Sequence, residues 1–482
     1  MSICSLTIKE TGDLLRQRKI GSEELTKAYL DRIKEHEELN CYLTVSEEEA
    51  LKMAREAQSR LDRGEEGPFL GIPMGIKDNM CTEGVKTTCA SKMLGNFVPP
   101  YSATVVKNLS ERGAVLLGKL NMDEFAMGSS NENSAYGVVK NPWNKGYVPG
   151  GSSGGSAAAV SADLAAFTLG SDTGGSVRQP ASFCGVVGLK PTYGAVSRYG
   201  LVAFASSLDQ IGPLTKDVAD CALVMNAISG RDPLDSTSVD RAPENYLEGL
   251  EDGVKGLNIG IPRQYFDEGL DASVKNGILK ALSDLELEGS QSRDISLPAT
   301  AHAVPAYYLI SSSEASANLA RYDGIKYGYR SEKATNLSEL YRLSRGEGFG
   351  REVKRRILLG THALSSGYHD ALYNKALKVR RMIADDFNRA FDEVDLIASP
   401  VYPTTAFPIG EKMEDPLKMY LSDIHTVSIN LAGLPALVVP CGLSPDGLPI
   451  GIQLIGKPFS EKLLLKVGRA IEKRTGRLVP GL

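Results

Sequence analysis

Apolar residues follow a helical spacing in the first part of the chain. In "GSEELTKAYLDRIKEHEE", Leu25, Tyr29 and Ile33 stand four residues apart in an otherwise polar segment, which predicts an amphipathic helix. Two short segments, "TIKE" at 7–10 and "SEEE" at 46–49, fit the capping box, in which a hydroxyl and a glutamate satisfy the first amides of a helix. The chain is therefore predicted to begin with helices.

From Phe69 the pattern changes to short apolar runs with Gly or Pro at their edges, as is typical of buried strands. These runs are "FLGIPMGIKDN", "AVLLGKLN", "LAAFTLGSD" and "GVVGLK" and, towards the end, "VDLIASP", "ALVVPCGL" and "LPIGIQLIG". Helical runs such as "ATVVKNLSERG" and "SAAAVSADLAA" lie among the first of them, which predicts an α/β fold. We expect one domain on a large sheet, in four parts: helical over 1–66, α/β over 67–230, mainly helical over 273–388 and strand-rich over 389–482.

The composition, net charge and residue spacing of the chain disfavour several classes of function. The chain has 482 residues, 42% hydrophobic and 23% charged, with a formal net charge of −5, so it is not expected to be a main nucleic-acid-binding protein. The clusters "REVKRRILLG" and "KVRRM" are interpreted as solvated helix faces. The start does not resemble a secretory signal, and no apolar run is long enough to cross a bilayer. Seven scattered cysteines and five histidines show no CxxC, HxH or HExxH spacing, so a reduced, cytoplasmic and metal-free protein is expected.

The glycine- and serine-rich run "PGGSSGGSAAAV", at 149–160, raises three possibilities. A flexible linker is disfavoured because the run continues into an apolar segment. A phosphate-binding loop is disfavoured because the lysine of GxxxxGK[ST] is missing. The run is therefore predicted to be a tightly folded loop that presents hydroxyl groups.

A second glycine-serine turn, "GSDTGGSVRQP" at 170–180, also follows an apolar run. Its glycines allow a sharp turn in which several amides point to one place, as an oxyanion hole requires. Ser176 in this turn is a candidate nucleophile, and Lys77 is a candidate base, since burial would favour its neutral amine. The alternatives are a structural turn, and a lysine that extends to solvent or pairs with Asp78.

Taken together, Lys77, "GGSSGGS" and "DTGGSVR" resemble the amidase signature family, which uses a Ser–Ser–Lys triad. Ser152 and Ser176 are 24 residues apart, and Lys77 precedes Ser176 by 99 residues, as in that family. The resemblance implies a single large α/β domain with a mixed central sheet covered by helices on both faces, and a catalytic core within 67–230. It also implies that Lys77 is the base, Ser152 the bridging relay and Ser176 the acyl-ester nucleophile, with Ser153 structural. The implied oxyanion hole consists of the amides of Thr173, Gly174, Gly175 and Ser176.

The resemblance extends along the whole chain and is closer to one branch, the glutaminase subunits of tRNA-dependent amidotransferases. "LGKLNMDEFAMGSSNENSAYG", "RYGLVAFASSLDQIGP" and "SSSEASANLARYDGIKYGYR" are among the segments that carry it. This branch implies glutamine as substrate, with Arg356 for its carboxylate, Asp423 for its ammonium group and Tyr307 nearby. The alternatives for Arg356 and Asp423 are a solvated helix face and a helix cap.

The same resemblance implies a heterotrimer with B and C subunits. Ammonia would pass to the B subunit, which amidates Glu-tRNA(Gln), and possibly Asp-tRNA(Asn). No cofactor is expected in this chain, whereas ATP, magnesium and most tRNA contacts are expected on the partner. Two other functions stay open at this point: a stand-alone amidase acting on small aliphatic or aryl amides, and a non-catalytic scaffold with the same fold.

Overall fold

The computed structural model describes residues 2–242, 244–267 and 269–482. Within these residues, eleven strands form one sheet. They are β1 (Tyr42–Val45), β2 (Pro73–Lys77), β3 (Val115–Leu120), β4 (Phe167–Asp172), β5 (Val187–Lys190), β6 (Gln210–Thr215), β7 (Asn258–Pro262), β8 (Gln291–Ile295), β9 (Leu396–Pro400), β10 (Ala436–Leu443) and β11 (Pro449–Ile455).

The strand order in the sheet is β1-β3-β2-β4-β6-β5-β10-β11-β9-β7-β8. Strand β2 is parallel to both β3 and β4, whereas β10 is antiparallel to β5 and β11. The sheet is therefore mixed, and the last two strands of the chain lie in its middle. All residues of β2, β3 and β4 are buried, which explains why they read as continuous apolar runs rather than alternating ones.

Fifteen α-helices lie among the described residues. They are α1 (Ile8–Arg16), α2 (Ser22–Glu35), α3 (Glu47–Asp62), α4 (Thr104–Glu111), α5 (Gly154–Ser161), α6 (Arg178–Cys184), α7 (Val218–Ile228), α8 (Ala272–Leu287), α9 (Ala303–Asn318), α10 (Leu337–Gly348), α11 (Arg351–Leu364), α12 (Lys375–Ala390), α13 (Pro416–Leu421), α14 (Val427–Ala432) and α15 (Glu461–Thr475).

Buried side chains form a core on each face of the sheet. On β9, Leu396 and Ala398 belong to one large cluster, whereas Ile397 between them belongs to the other. Because successive side chains of a strand point to opposite faces, the two clusters lie on opposite sides. The predicted α/β fold, with a mixed sheet covered on both faces, is confirmed.

The two predicted capping boxes have different outcomes. Thr7 accepts a hydrogen bond from the Glu10 amide at 3.2 Å, and Glu10 accepts one from the Thr7 amide at 2.9 Å. Ser46 does precede a helix, but its side chain makes no capping hydrogen bond. The first box is confirmed and the second is wrong.

Candidate functional site

Lys77 is the last residue of β2, and its side chain is fully buried. Its ammonium nitrogen, Nζ, donates to Ser152 Oγ at 2.8 Å, Ser153 Oγ at 2.8 Å and Ser171 Oγ at 3.0 Å. Three hydroxyl groups, two of them from the glycine-serine run, therefore surround the amine. Ser153 Oγ lies as close to Lys77 Nζ as Ser152 Oγ does. This contact was not expected, because Ser153 was predicted to be a structural residue.

Burial lowers the pKa of Lys77 to about 7. The carboxylates of Asp123, Asp172 and Asp209 act in the opposite direction and partly offset this effect. A lysine with this pKa is neutral in a large fraction of molecules near pH 7, as a general base needs to be.

The alternative roles for Lys77 are wrong. The side chain does not extend to solvent, and Asp78 pairs with another lysine. Asp78 Oδ1 lies 3.5 Å from Lys119 Nζ, and Asp78 Oδ2 accepts a hydrogen bond from the Thr88 amide at 2.9 Å. Asp78 follows the end of β2, and no ion pair joins it to Lys77 among the described residues.

Residues 149–153 of the run form a buried loop, and the rest of the run, 154–160, belongs to α5. The peptide bond between Gly151 and Ser152 is cis. The Gly151 amide donates to Gln179 Oε1 at 2.8 Å, and a Cβ on Gly151 would lie 2.1 Å from Asp123 Oδ2. Glycine is therefore required here by close packing against a neighbouring carboxylate, as expected of a tightly folded loop rather than a linker.

Ser176 lies in the turn that joins β4 to α6. The Ser153 amide donates to the Ser176 carbonyl at 3.1 Å, so the two glycine-serine segments are adjacent. Within the described residues, no hydrogen bond joins the hydroxyls of Ser152 and Ser176. The structure thus brings Lys77, Ser152 and Ser176 to one place, and the proton relay between the two serines stays a prediction.

Asp172 and Arg178 hold this turn from within. Arg178 donates from Nε to Asp172 Oδ2 and from Nη2 to Asp172 Oδ1, both at 3.0 Å, and both side chains are fully buried. Burial alone would raise the pKa of Asp172, but the Arg178 guanidinium holds it well below its usual range. Arg178 also donates to Gln453 Oε1 at 2.7 Å and to Asn430 Oδ1 at 2.5 Å. The turn is therefore fastened to residues near the end of the chain.

The Asp172 carboxylate changes the expected oxyanion hole. The Gly175 amide donates to Asp172 Oδ1 at 2.9 Å, so this amide is already engaged, in contrast to the prediction. The amides of Thr173, Gly174 and Ser176 have no acceptor among the described residues. The oxyanion hole stays a prediction, with these three amides as its candidate donors.

Gly174 is held between two side chains. The Thr426 hydroxyl donates to its carbonyl at 2.6 Å, which fixes the orientation of the peptide. A Cβ at this position would lie 2.5 Å from the Tyr307 hydroxyl. Glycine is therefore needed for the turn to approach Tyr307.

Ser176 lines a narrow pocket. The predicted substrate residues Tyr307, Arg356 and Asp423 all line this pocket. The structure therefore brings the candidate nucleophile and the candidate recognition residues together, although they are up to 247 positions apart in sequence (423 minus 176).

Arg356 is 3% exposed, so its interpretation as part of a solvated helix face is wrong. Its Nε donates to Glu352 Oε1 at 2.6 Å, and its Nη1 is buried with no partner among the described residues. The guanidinium carbon lies 4.5 Å from the centre of the Tyr308 ring. A buried guanidinium with an unpaired donor is suited to bind a carboxylate.

The side chain of Asp423 faces hydroxyl groups rather than a helix end, so the helix-cap alternative is wrong. Asp423 Oδ2 accepts from the Tyr308 hydroxyl at 2.7 Å, and Oδ1 accepts from the Ser129 hydroxyl at 3.0 Å. Burial raises the pKa of Asp423 to about 6. The group is therefore still mainly ionised at neutral pH, where it can attract an ammonium group.

Sequence reasoning did not identify Ser129, Gln179 or Tyr308. The Gln179 side chain accepts from the Gly151 amide and donates to the Ser129 carbonyl at 2.9 Å. Tyr308 directly follows Tyr307, and this pairing of aromatic residues was the available signal. For Ser129 and Gln179 no spacing pattern distinguishes them from structural residues.

The similarity of the chain to known families decides its classification. The family model described as Amidase matches residues 24–465. The chain belongs to the amidase family. The resemblance predicted from the triad segments is thereby confirmed.

Named relatives agree with this classification. The chain is 58% identical over 474 residues to the A subunit of the glutamyl-tRNA(Gln) amidotransferase of Caldanaerobacter subterraneus subsp. tengcongensis, covering 98% of this chain and 97% of that protein. The protein of the same name from Thermotoga maritima, known from a crystal structure, is 44% identical in sequence. Its structure matches with a TM-score of 0.82 over 99% of this chain and 96% of that chain. A peptide amidase bound to the competitive inhibitor chymostatin is 31% identical, with a TM-score of 0.84 over 99% of both chains.

Two further features of the described residues concern metals and membranes. Among these residues, no group of three or more His, Cys, Asp or Glu side chains could hold a metal ion. Their helices include none with the length and apolar character needed to span a bilayer.

Proposed function

We propose that this chain is the glutaminase subunit of a tRNA-dependent amidotransferase. The observation that carries the proposal is the pocket at Ser176, where the unpaired Nη1 of Arg356 and the carboxylate of Asp423 are both present. Glutamine has a carboxylate and an ammonium group beside the amide to be cleaved, so one charged residue suits each group. The relatives named as the A subunit of the glutamyl-tRNA(Gln) enzyme support the same function.

In the proposed reaction, neutral Lys77 takes the proton of Ser176 through Ser152 as the Ser176 oxygen attacks the side-chain amide carbon of glutamine. The new oxyanion is stabilised by the amides of Thr173, Gly174 and Ser176. The C–N bond then breaks, the proton returns along the relay to the leaving nitrogen, and ammonia departs. Water next attacks the ester, which releases glutamate and restores the serine hydroxyl.

The ammonia is proposed to pass to a B subunit that binds ATP, magnesium and the tRNA and amidates Glu-tRNA(Gln), with a C subunit completing a heterotrimer. Use of Asp-tRNA(Asn) by the same assembly is part of this proposal. The naming of the relatives as subunits supports an assembly of several chains. We also propose that the chain works in the cytoplasm, where aminoacyl-tRNA is used.

The decisive experiment measures ammonia release from glutamine by the full-length chain, alone and co-purified with candidate B and C subunits, for wild type and Ser176→Ala. We expect glutamine-dependent amidation of Glu-tRNA by the complex and loss of both activities in the variant. Ser59→Ala, which alters an exposed serine on α3, is the matched control and should match wild type. Full glutaminase activity in Ser176→Ala would contradict the mechanism.

A stand-alone amidase is the second candidate, and the 31% identity to a peptide amidase favours it. A neutral amide would leave the buried Nη1 donor of Arg356 without an acceptor, which is unfavourable. The two functions differ in a measurable way: efficient hydrolysis of butyramide, with weak hydrolysis of glutamine in every preparation, would favour the second. A serine-reactive fluorophosphonate that failed to label Ser176 would instead favour a scaffold without catalysis.

A further inference from the structure

The two charged recognition residues of the pocket do not pair with each other. Arg356 and Asp423 have opposite charges and line the same cavity, yet no ion pair joins them among the described residues. Arg356 is bound instead by Glu352 Oε1, at 2.6 Å from its Nε. Asp423 is bound by the hydroxyls of Tyr308 and Ser129.

Two stacked tyrosines connect these separate partners. The rings of Tyr308 and Tyr420 lie parallel within 26°, with centres 4.0 Å apart. The Tyr308 hydroxyl donates to Asp423, and the Tyr420 hydroxyl donates to Glu352 Oε1 at 2.6 Å. Glu352 is thus the point at which the tyrosine pair and Arg356 meet.

Glu352 is well placed to orient the guanidinium. It lies on α11 four residues before Arg356, a spacing that puts both side chains on one face of the helix, and it is 8% exposed. Its other oxygen, Oε2, pairs with Arg355, so both oxygens have cationic partners. The bond to Nε leaves the Nη1 donor of Arg356 for a ligand.

We propose that Glu352 is a positioning residue for glutamine recognition, which binds Arg356 through Nε and keeps its guanidinium from collapsing onto Asp423. This inference rests on the proposed function, because it assigns a carboxylate ligand to Arg356. Without Glu352, Asp423 is the carboxylate remaining in the cavity with Arg356. An internal ion pair between the two would then have to be broken by each incoming zwitterion.

Charged and neutral substrates should respond differently to the loss of Glu352. A zwitterionic amino acid needs Arg356 and Asp423 apart, whereas a neutral amide needs only the serine, the base and the amides of the turn. Loss of Glu352 should therefore impair hydrolysis of glutamine and leave hydrolysis of a neutral amide unchanged. A merely structural defect would impair both.

The experiment compares kcat/KM for glutamine and for butyramide in wild type, Glu352→Ala, Glu352→Gln, Arg356→Ala and the Glu352→Ala/Arg356→Ala double variant. It uses the full-length chain in whichever form, alone or with B and C subunits, hydrolyses glutamine. Glu286→Gln, an exposed carboxylate on α8, is the matched control. Thermal unfolding of each variant reports on folding.

We expect Glu352→Ala to lower kcat/KM for glutamine by about tenfold or more, mainly through KM, because a buried charge loses its partner. Butyramide hydrolysis should stay within about twofold of wild type. Glu352→Gln keeps an acceptor for Nε and should recover part of the loss. The double variant should be no worse than Arg356→Ala, since Glu352 acts through Arg356.

Two results would overturn the inference: unchanged glutamine kinetics in Glu352→Ala, or equal losses for glutamine and butyramide. Additive losses in the double variant would do the same. Failure of the proposed function has a different signature, because Arg356→Ala itself would then leave the glutamine kinetics unchanged. A variant that fails to fold is identified by its melting temperature, and Glu352→Gln then provides the test.

Discussion

The buried amine of Lys77 makes the rate of glutamine hydrolysis depend on pH in a defined way. A group whose pKa is about 7 is protonated below that pH and neutral above it. In the proposed mechanism, only the neutral form accepts the proton of Ser176 through Ser152. Activity is therefore expected to fall as the pH drops through about 7 and to reach a plateau above about 8.

The size of the effect follows from the burial. A lysine with its ordinary pKa of 10.5 is neutral in only about one molecule in three thousand at pH 7. Lowering the pKa to about 7 makes about half of the molecules competent, a gain of about a thousandfold. Below pH 6 the rate should decline about tenfold for each pH unit.

The assay is kcat/KM for glutamine and for butyramide from pH 5.5 to 9. Asp423 has a pKa of about 6 and can affect the binding of glutamine, whereas butyramide has no ammonium group for it to bind. A decrease in kcat/KM near pH 7 that is seen with both amides is therefore assigned to protonation of Lys77. In Lys77→Ala, the residual rate should be very low and should not show this decrease, while the variant remains folded.

Two results would refute this reasoning. One is a rate with butyramide that is flat between pH 6 and 8. The other is a decrease near pH 7 that persists in Lys77→Ala, which would assign it to another group. Loss of folding in Lys77→Ala would favour a structural lysine.

Three further changes test the structure around the turn. Replacing Arg178 with Met leaves the Asp172 carboxylate buried without its cation and should lower the free energy of unfolding by about 3–5 kcal/mol. Urea denaturation measures this change, and a loss below about 1 kcal/mol would contradict the importance of the pair. Gly174→Ala places a Cβ against the Tyr307 hydroxyl and should reduce hydrolysis of both glutamine and butyramide by about a hundredfold, and near-normal rates would show that the turn adapts. Asp423→Asn should raise KM for glutamine by about tenfold and leave butyramide unchanged, so equal effects on both amides would argue against binding of the ammonium group.

The fold class could be predicted because each element has a local signal. The apolar runs that became β2, β3 and β4 are buried on both faces, so their hydrophobicity is continuous and easy to recognise. The helix at α2 has its apolar stripe on one side. The failed capping box at Ser46 shows the limit, since the motif fixes residue types but not the backbone angles that bring the hydroxyl to the amide.

The site could be predicted only in part. Lys77, Ser152 and Ser176 lie in segments with characteristic glycine-serine patterns, so the resemblance located them. The engagement of the Gly175 amide by Asp172 could not be read from the sequence, because it depends on the path of a four-residue turn. The burial of Arg356 could not be predicted from the sequence either, because a basic helical segment has the same pattern whether one of its residues faces solvent or a pocket.

The strand order has a consequence for when the enzyme becomes active during synthesis. The turn that carries Ser176 is held by Arg178, whose guanidinium binds Asn430 and Gln453. Gln453 lies on β11, 277 positions after Ser176 (453 minus 176). A growing chain on the ribosome lacks these contacts until β11 has been made, so we expect the activity proposed for Ser176 to arise only after that point.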